Sequence, residues 1–395
     1  MYNQFDYGLG TNKSVIRELF TYGLEQAKKV GPDKVYDYSL GNPSIPAPAI
    51  VNKTAIDIIN NEDPLKVHGY SSAPGFDDVR EKVAKNLTER MGMTIKGSNL
   101  YFTCGAAPGL VSIFHALHAN DDCKLLAIAP FFPEYRPFSE ASGLKFDFVE
   151  ADTKAFQINM AALEAKLDKN TQAVIINSPN NPSGVVFSED TLKQLGEILT
   201  KKSKEFGHPI YLIADEPYRE LVYGDVKVPW VPNFYKNTIV AYSWSKSLSL
   251  PGERIGYVCV PDCVEDGQAI FAAITGAARA IGHVCPPTLI QRVVAECCST
   301  MPDLAAYDDN RQTLLNGLLK IGYECAKPDG AFYLFVKAPG GDANKFSEAC
   351  KKYNLLVVPS DSFGVPGYFR LCYCVSKKTI VNSMEAFEKA FNEFK

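Results

Sequence analysis

The sequence predicts an α/β protein with a mostly parallel sheet sandwiched by helices, followed by a smaller α/β unit. Two observations carry this expectation. Short apolar segments such as Ala173-Val-Ile-Ile-Asn and Ile210-Tyr-Leu-Ile-Ala alternate with segments of helix length, the pattern of strands buried on both faces. After about Thr288 a helix-rich stretch leads to Gly330-Ala-Phe-Tyr-Leu-Phe-Val, Leu355-Leu-Val-Val-Pro and Tyr368-Phe-Arg-Leu-Cys-Tyr, which read as strands of a second, antiparallel sheet. The length agrees: 395 residues exceed the roughly 250–300 at which one core stops growing.

The elements follow in order. Asp77 to Arg90 reads as a helix with Val79, Val83, Ala84 and Leu87 on one face. Tyr101-Phe-Thr is a short strand, followed by the turn Gly105-Ala-Ala-Pro-Gly and an apolar helix from about Leu110 to Leu117. Lys124-Leu-Leu-Ala-Ile-Ala, Phe146-Asp-Phe-Val and Ala173-Val-Ile-Ile-Asn are strands, the last closed by Ser178-Pro-Asn-Asn-Pro. Ser188 caps a helix expected to run to about Lys201. Two further strands end in Asp215-Glu-Pro and in Ser243-Trp-Ser-Lys246. Ligands of such sheets bind beyond the carboxyl ends of the strands, so these strand ends are where chemistry is expected.

Composition narrows the field. A hydrophobic content of 46% and a charged content of 22% are those of a globular chain. With a net charge of -4 and no long Lys/Arg run, nothing predicts a nucleic-acid surface. The N-terminus lacks a basic segment followed by an apolar one, and no apolar stretch approaches the ~18–20 residues of a membrane span, so a cytoplasmic location is expected. Eleven cysteines, with no C-x-x-C, read as free and mostly buried thiols. His115 and His118 share a helical face but lack a third ligand, so no metal is expected.

Five features then converge. Lys246 follows a strand, with Ser243 and Ser245 before it and Arg254 after it. Hydroxyls and a guanidinium suit a phosphate dianion, and a lysine beside a phosphate anchor can form a Schiff base with a phosphate-bearing aldehyde. The turn Gly105, Ala106, Ala107 exposes backbone amides at a helix start, a second phosphate contact. Asp215 ends a strand where it can meet a protonated pyridine nitrogen, with Tyr218 three residues on. Asn181 lies in a turn-rich segment from which its amide can reach the same ring. Arg370 lies in an apolar strand, where a buried charge needs a partner such as a substrate carboxylate. Taken singly, each has a plainer reading: a surface lysine, a tight turn, a helix cap, a loop, a structural ion pair.

Together these motifs resemble the class I/II aminotransferases of the aspartate aminotransferase superfamily, which depend on pyridoxal 5'-phosphate (PLP) and have its fold type I. The early Ser14-Val-Ile-Arg-Glu, Gly41-Asn-Pro and Gly69-Tyr70-Ser-Ser-Ala-Pro-Gly extend the likeness over nearly the whole chain. The resemblance implies that Lys246 is the Schiff-base lysine and the base of the proton transfer. Asp215 pairs with the pyridine nitrogen, and Tyr218 and Asn181 bind O3′. Gly105, Ala106, Ala107, Ser243, Ser245 and Arg254 form the phosphate site, Phe132 stacks on the ring, and Tyr70 reaches the phosphate of a neighbouring subunit. Arg370, with Gly41 and Asn181, takes the substrate α-carboxylate. It also implies a homodimer, with residues 1–45 packing on the small domain and the partner, 46–285 forming the large PLP-binding domain and 286–395 the small one.

The implied reaction is a ping-pong transfer of an amino group from an L-amino acid to a 2-oxo acid such as 2-oxoglutarate, in the manner of aspartate aminotransferase. A PLP-dependent C–S β-lyase on the same fold is the alternative. A PLP-binding transcription regulator would need a DNA-binding domain ahead of the family-like pattern, which begins within the first ~50 residues here. An inactive scaffold would be expected to lose anchors that this sequence keeps. A side-chain carboxylate reader is not located: Arg279 and Arg17 are candidates, and Ala280 stands where some relatives place an arginine before Pro286-Pro287.

Overall fold

The computed structural model describes residues 1–12 and 14–394. Among them twelve strands run in chain order: β1 (Tyr36–Asp37), β2 (Leu100–Thr103), β3 (Lys124–Ile128), β4 (Lys145–Val149), β5 (Thr171–Asn177), β6 (Tyr211–Asp215), β7 (Thr238–Ser243), β8 (Gly256–Cys259), β9 (Tyr333–Lys337), β10 (Leu355–Leu356), β11 (Val358–Pro359) and β12 (Tyr368–Cys372). Seven form one sheet in the order β2-β8-β7-β6-β5-β3-β4. Neighbours from β7 to β4 are parallel, and β8 alone runs antiparallel to both its neighbours. The fold class is therefore the expected one.

Burial explains why these segments are strands. β2, β6, β7 and β8 are buried at every position, and β5 at all but Gln172. Runs such as Val174-Ile-Ile need helices on both faces. The helix Glu189–Phe206 is one of them: Leu192, Leu195 and Leu199 face the core, and the Ser188 hydroxyl accepts from the Thr191 amide. It runs five residues past the expected end, because it stops where Gly207 takes φ +77° rather than at the lysines. The helix Asp77–Met91 buries the four predicted residues.

Two expectations are corrected. The helix expected from Leu110 starts at Ala106, since Gly105 at φ +90° turns the chain and Pro108 falls in the first turn, where its missing N–H breaks no helical bond. The segment Leu355-Leu-Val-Val-Pro is two strands in different sheets: β10 pairs with β1, and β11 with β12. A segment buried on all sides carries no alternation to reveal its neighbours.

The three-stranded sheet β11-β12-β9 is antiparallel, as expected. It has its own apolar core, including Phe332, Leu334, Phe369, Leu371 and Phe387. The helix Thr288–Cys297 instead buries Ile290, Val293 and Val294 in the core of the large sheet. β1 joins β10 in parallel register, which ties the N-terminal segment to the C-terminal part of the chain.

Candidate active site

Register brings the predicted residues to one edge. In the parallel ladder Asn177 at the end of β5 faces Asp215 at the end of β6. β7 ends beside them at Ser243, from which the short helix Trp244–Ser247 carries Lys246. Because β8 runs the other way, its amino end lies at this edge, with Gly256 opposite both Ser243 and Thr103. Arg254 precedes β8, so the reversed strand delivers it beside the turn that follows β2.

These groups line a cavity of about 310 Å³. Lys246, Asp215, Tyr218, Asn181, Ala106, Ala107, Phe132, Ser243, Ser245, Arg254, Gly41 and Arg370 all face it. Gly105 lies just behind its wall, against Arg254. Tyr70 is not brought in: it is 88% exposed and outside the cavity. Arg17 and Arg279 are also exposed and outside it.

The part of the cavity beside the Gly105–Ala107 turn is built from small groups. The Ser243 and Ser245 hydroxyls are 2.6 Å apart, and the Ser245 amide donates to Ser243 Oγ at 3.1 Å. A Cβ on Gly105 would stand 2.5 Å from Arg254 Nη2, so only glycine leaves room for that guanidinium over the helix start. Arg254 donates to the Pro251 carbonyl at 2.8 Å and pairs with no carboxylate among the described residues. Beside it, the amides of Ala106 and Ala107 open the helix, a site suited to an anion.

Asp215 lines another part of the cavity. Its Oδ2 accepts from the Tyr135 hydroxyl at 2.5 Å, while its buried Oδ1 has no partner. Burial pushes its carboxyl up to about 7; the Tyr135 hydrogen bond opposes the shift and Glu216 adds to it. A buried carboxylate with an open oxygen suits a cationic N–H. The Asn177 amide donates to the Asp215 carbonyl at 2.8 Å, and its Oδ1 accepts from the Asn181 amide N–H at 2.7 Å. Glu216 is locked away by a bidentate pair with Arg219, each N···O 2.6 Å.

Lys246 Nζ donates to the Gly41 carbonyl at 2.6 Å. Burial lowers the pKa of its amine; the Cys374 and Cys372 thiols oppose this, and Arg370 and Arg254 reinforce it. A lysine so placed sheds its proton more readily than a solvated one. The two thiols, both free, are 2.6 Å apart.

Arg370 is 2% exposed. It donates to Asn181 Oδ1 at 3.1 Å and to the Ser39 carbonyl, and its Nε has no partner. Its guanidinium lies 4.8 Å from the Tyr333 ring centroid. No acidic side chain pairs with it among the described residues, so the structural ion pair considered above is not what holds it.

Sequence reasoning missed Tyr135 and Tyr333. The Tyr333 hydroxyl is 2.9 Å from that of Tyr218 and fills the space a side chain at Gly41 would need. Its strand position was legible, since β9 sets Tyr333 opposite Cys372, two residues from Arg370. Tyr135 lay three residues past Phe132, the spacing of one helical turn. Ile16 and Leu40 also line the cavity and were not singled out.

A buried lysine, a small-residue helix start beside an arginine and an acid with one unpartnered oxygen, gathered at the carboxyl edge of this sheet, are the groups a pyridoxal-phosphate-dependent enzyme needs. The comparisons narrow it further. Residues 34–387 match the family model described as aminotransferase class I and II, and the chain belongs to that family. It is 30% identical over 380 residues to a probable aspartate/prephenate aminotransferase of Aquifex aeolicus, covering 91% of each chain. It is similar to the solved amino transferase of Eubacterium rectale (50% identity, TM-score 0.98, covering 100% of this chain and 99% of that one). It is also similar to the aspartate aminotransferase of Thermotoga maritima (26% identity, TM-score 0.87, covering 99% and 100%). The protein is a PLP-dependent aminotransferase of fold type I.

Proposed function

We propose that the protein transfers the amino group of an L-amino acid, aspartate first among the candidates, to 2-oxoglutarate. The buried Arg370 guanidinium with no acidic partner carries this reading, because it asks for the α-carboxylate that both substrates share. The names of the relatives support aspartate.

PLP, when bound, supplies an electrophilic carbon and a sink for the electrons of a broken Cα–H bond. Its phosphate would be held by the Gly105–Ala107 turn, Ser243, Ser245 and Arg254, its ring nitrogen by Asp215, its O3′ by Tyr218 and Asn181, and one ring face by Phe132. Arg370 orients the substrate so that its Cα–H stands near Lys246. With the cofactor bound, Lys246 Nζ would accept the Cα proton and later give it up again, so one residue serves as the base and then the acid of the transfer. Burial favours this step by lowering the pKa of the amine. Gly41 contributes its carbonyl, which tethers Nζ.

The assembly we infer is a homodimer in which Tyr70 reaches the partner's phosphate site. Exposed Tyr2, Phe5, Leu65, Tyr70 and Val284 support it, since such apolar surface usually meets a partner. The separate apolar core beneath the β11-β12-β9 sheet supports the division into 46–285 and 286–395, with the helix Thr288–Cys297 packing back on the large sheet. Eleven free thiols favour the reducing cytoplasm. No helix among the described residues is long and apolar enough to cross a membrane.

Lys246→Ala tests the reading. It is expected to abolish turnover of aspartate with 2-oxoglutarate and the visible absorbance of lysine-bound PLP. Undiminished turnover would overturn the role of Lys246. Release of pyruvate and ammonia from cystathionine, without amino transfer, would replace transaminase by lyase.

A further inference from the structure

We infer that Tyr135 is a positioning residue for the transamination: its phenol holds the Asp215 carboxylate so that Oδ1 is reserved for the cofactor's ring nitrogen. This rests on the function proposed above. Tyr135 is 1% exposed, and its hydroxyl donates to Asp215 Oδ2 at 2.5 Å. A carboxylate has two oxygens and rotates about one bond, so a donor on Oδ2 decides where Oδ1 points. Oδ1 is buried with no partner, and Asp215 is one of the residues that line the cavity. The Tyr135 ring also meets Phe132 edge-on, centroids 5.6 Å apart, and Phe132 lines the same cavity. One side chain thus fixes both the acid and the aromatic wall.

The phenol is suited to this by its neutrality. A cation at Oδ2 would hold the carboxylate ionised but would repel a protonated ring nitrogen a few ångströms away. A neutral donor favours the carboxylate without that repulsion. The other charged or titratable groups about Asp215 are Glu216, locked to Arg219, Tyr218 across the turn, and Lys246, Arg254, Tyr333 and Arg370, which line the same cavity. Burial holds the Tyr135 phenol well above its ordinary range, so it remains a donor across the working pH.

The test uses the holoenzyme with Tyr135→Phe. Loss of one hydrogen bond to a charged group is expected to weaken PLP binding, read by equilibrium dialysis, about ten- to a hundredfold. The acid limb of the pH–kcat profile is expected to move up by about one pH unit, since Asp215 is then harder to ionise. In an Asp215→Asn background the same substitution is expected to leave PLP affinity unchanged. An unmoved acid limb, or an equal loss in the Asn background, would overturn the inference. Should Tyr135→Phe fold poorly, 3-fluorotyrosine at position 135 keeps the shape and makes a stronger donor, so the limb is expected to move down; no movement overturns the inference. If Asp215→Asn alone leaves activity and PLP binding intact, the proposed function fails as well. If it impairs both and Tyr135→Phe does nothing, only the role of Tyr135 fails.

Discussion

Gly105 and Arg254 occupy one another's space: a Cβ on Gly105 would lie 2.5 Å from Nη2 and 3.0 Å from Cζ of the arginine. Two residues 149 positions apart in sequence (254 − 105) thus meet at the proposed phosphate site, and the absence of a side chain on the first is what admits the second. Gly105→Ala is therefore expected to displace Arg254 and raise the PLP dissociation constant about tenfold or more, the worth of one charge-assisted hydrogen bond. Gly31 has a similar φ of +93° and no atom near its absent Cβ. Gly31→Ala carries the same backbone strain and should leave PLP affinity alone. Fluorescence titration of both apoproteins compares them.

Asp215 makes stability depend on pH in an unusual direction. Its carboxyl is pushed from 3.8 to about 7 by burial. Between these values the folded, cofactor-free protein holds a proton that the unfolded chain has released. That contribution is complete below about 4 and is lost as pH rises through about 7. Asp215→Asn mimics the protonated form at all pH values. The apoprotein of this variant is expected to gain on the wild type by a few kcal/mol as pH rises across the window. Urea midpoints of both apoproteins at each end of the window measure it. An unchanging difference would show that Asp215 keeps an ordinary pKa.

Arg370 already donates to Asn181 and Ser39, and its remaining N–H groups await an acceptor. Arg370→Met keeps much of the volume and removes the donors. A fall in kcat/KM of two to three powers of ten, roughly 3–4 kcal/mol, is expected for any amino donor, because the α-carboxylate is common to all. An effect confined to aspartate would instead assign Arg370 to the side-chain carboxylate. Steady-state kinetics with aspartate and with an apolar amino acid separate the two.

Glu216 and Arg219 form a buried bidentate pair, and Arg219 also donates to the Val228 and Pro229 carbonyls at 3.0 Å each. Their side chains are 2% and 6% exposed. Arg219→Met would leave Glu216 buried without its partner, with a loss of about 3–5 kcal/mol in folding stability. Thermal or urea denaturation reads it. The double variant Glu216→Gln with Arg219→Met is expected to recover a large part, since no unpaired charge remains.

Much of the site was legible because strand ends and turns are local grammar. Asn181, Asp215, Ser243 and Lys246 each follow a short apolar run, and parallel strands carry their carboxyl ends to one edge. Where an apolar segment was buried on every side, the grammar failed, and Leu355-Leu-Val-Val-Pro gave no sign of pairing with two different sheets.

The sequence by itself therefore determined the fold class and which residues gather in one cavity around Lys246. Tertiary structure alone decided how those groups are partnered. The reversal of β8 brings Arg254 over Gly105, Tyr135 takes one oxygen of Asp215 and leaves the other open, and Tyr333 backs both Tyr218 and Arg370. The reason is separation: Tyr135 and Asp215 are 80 residues apart, Tyr218 and Tyr333 are 115. Periodicity and turn chemistry report on a chain's immediate neighbours. A hydrogen bond between distant side chains exists only once packing has removed every other place for them to point.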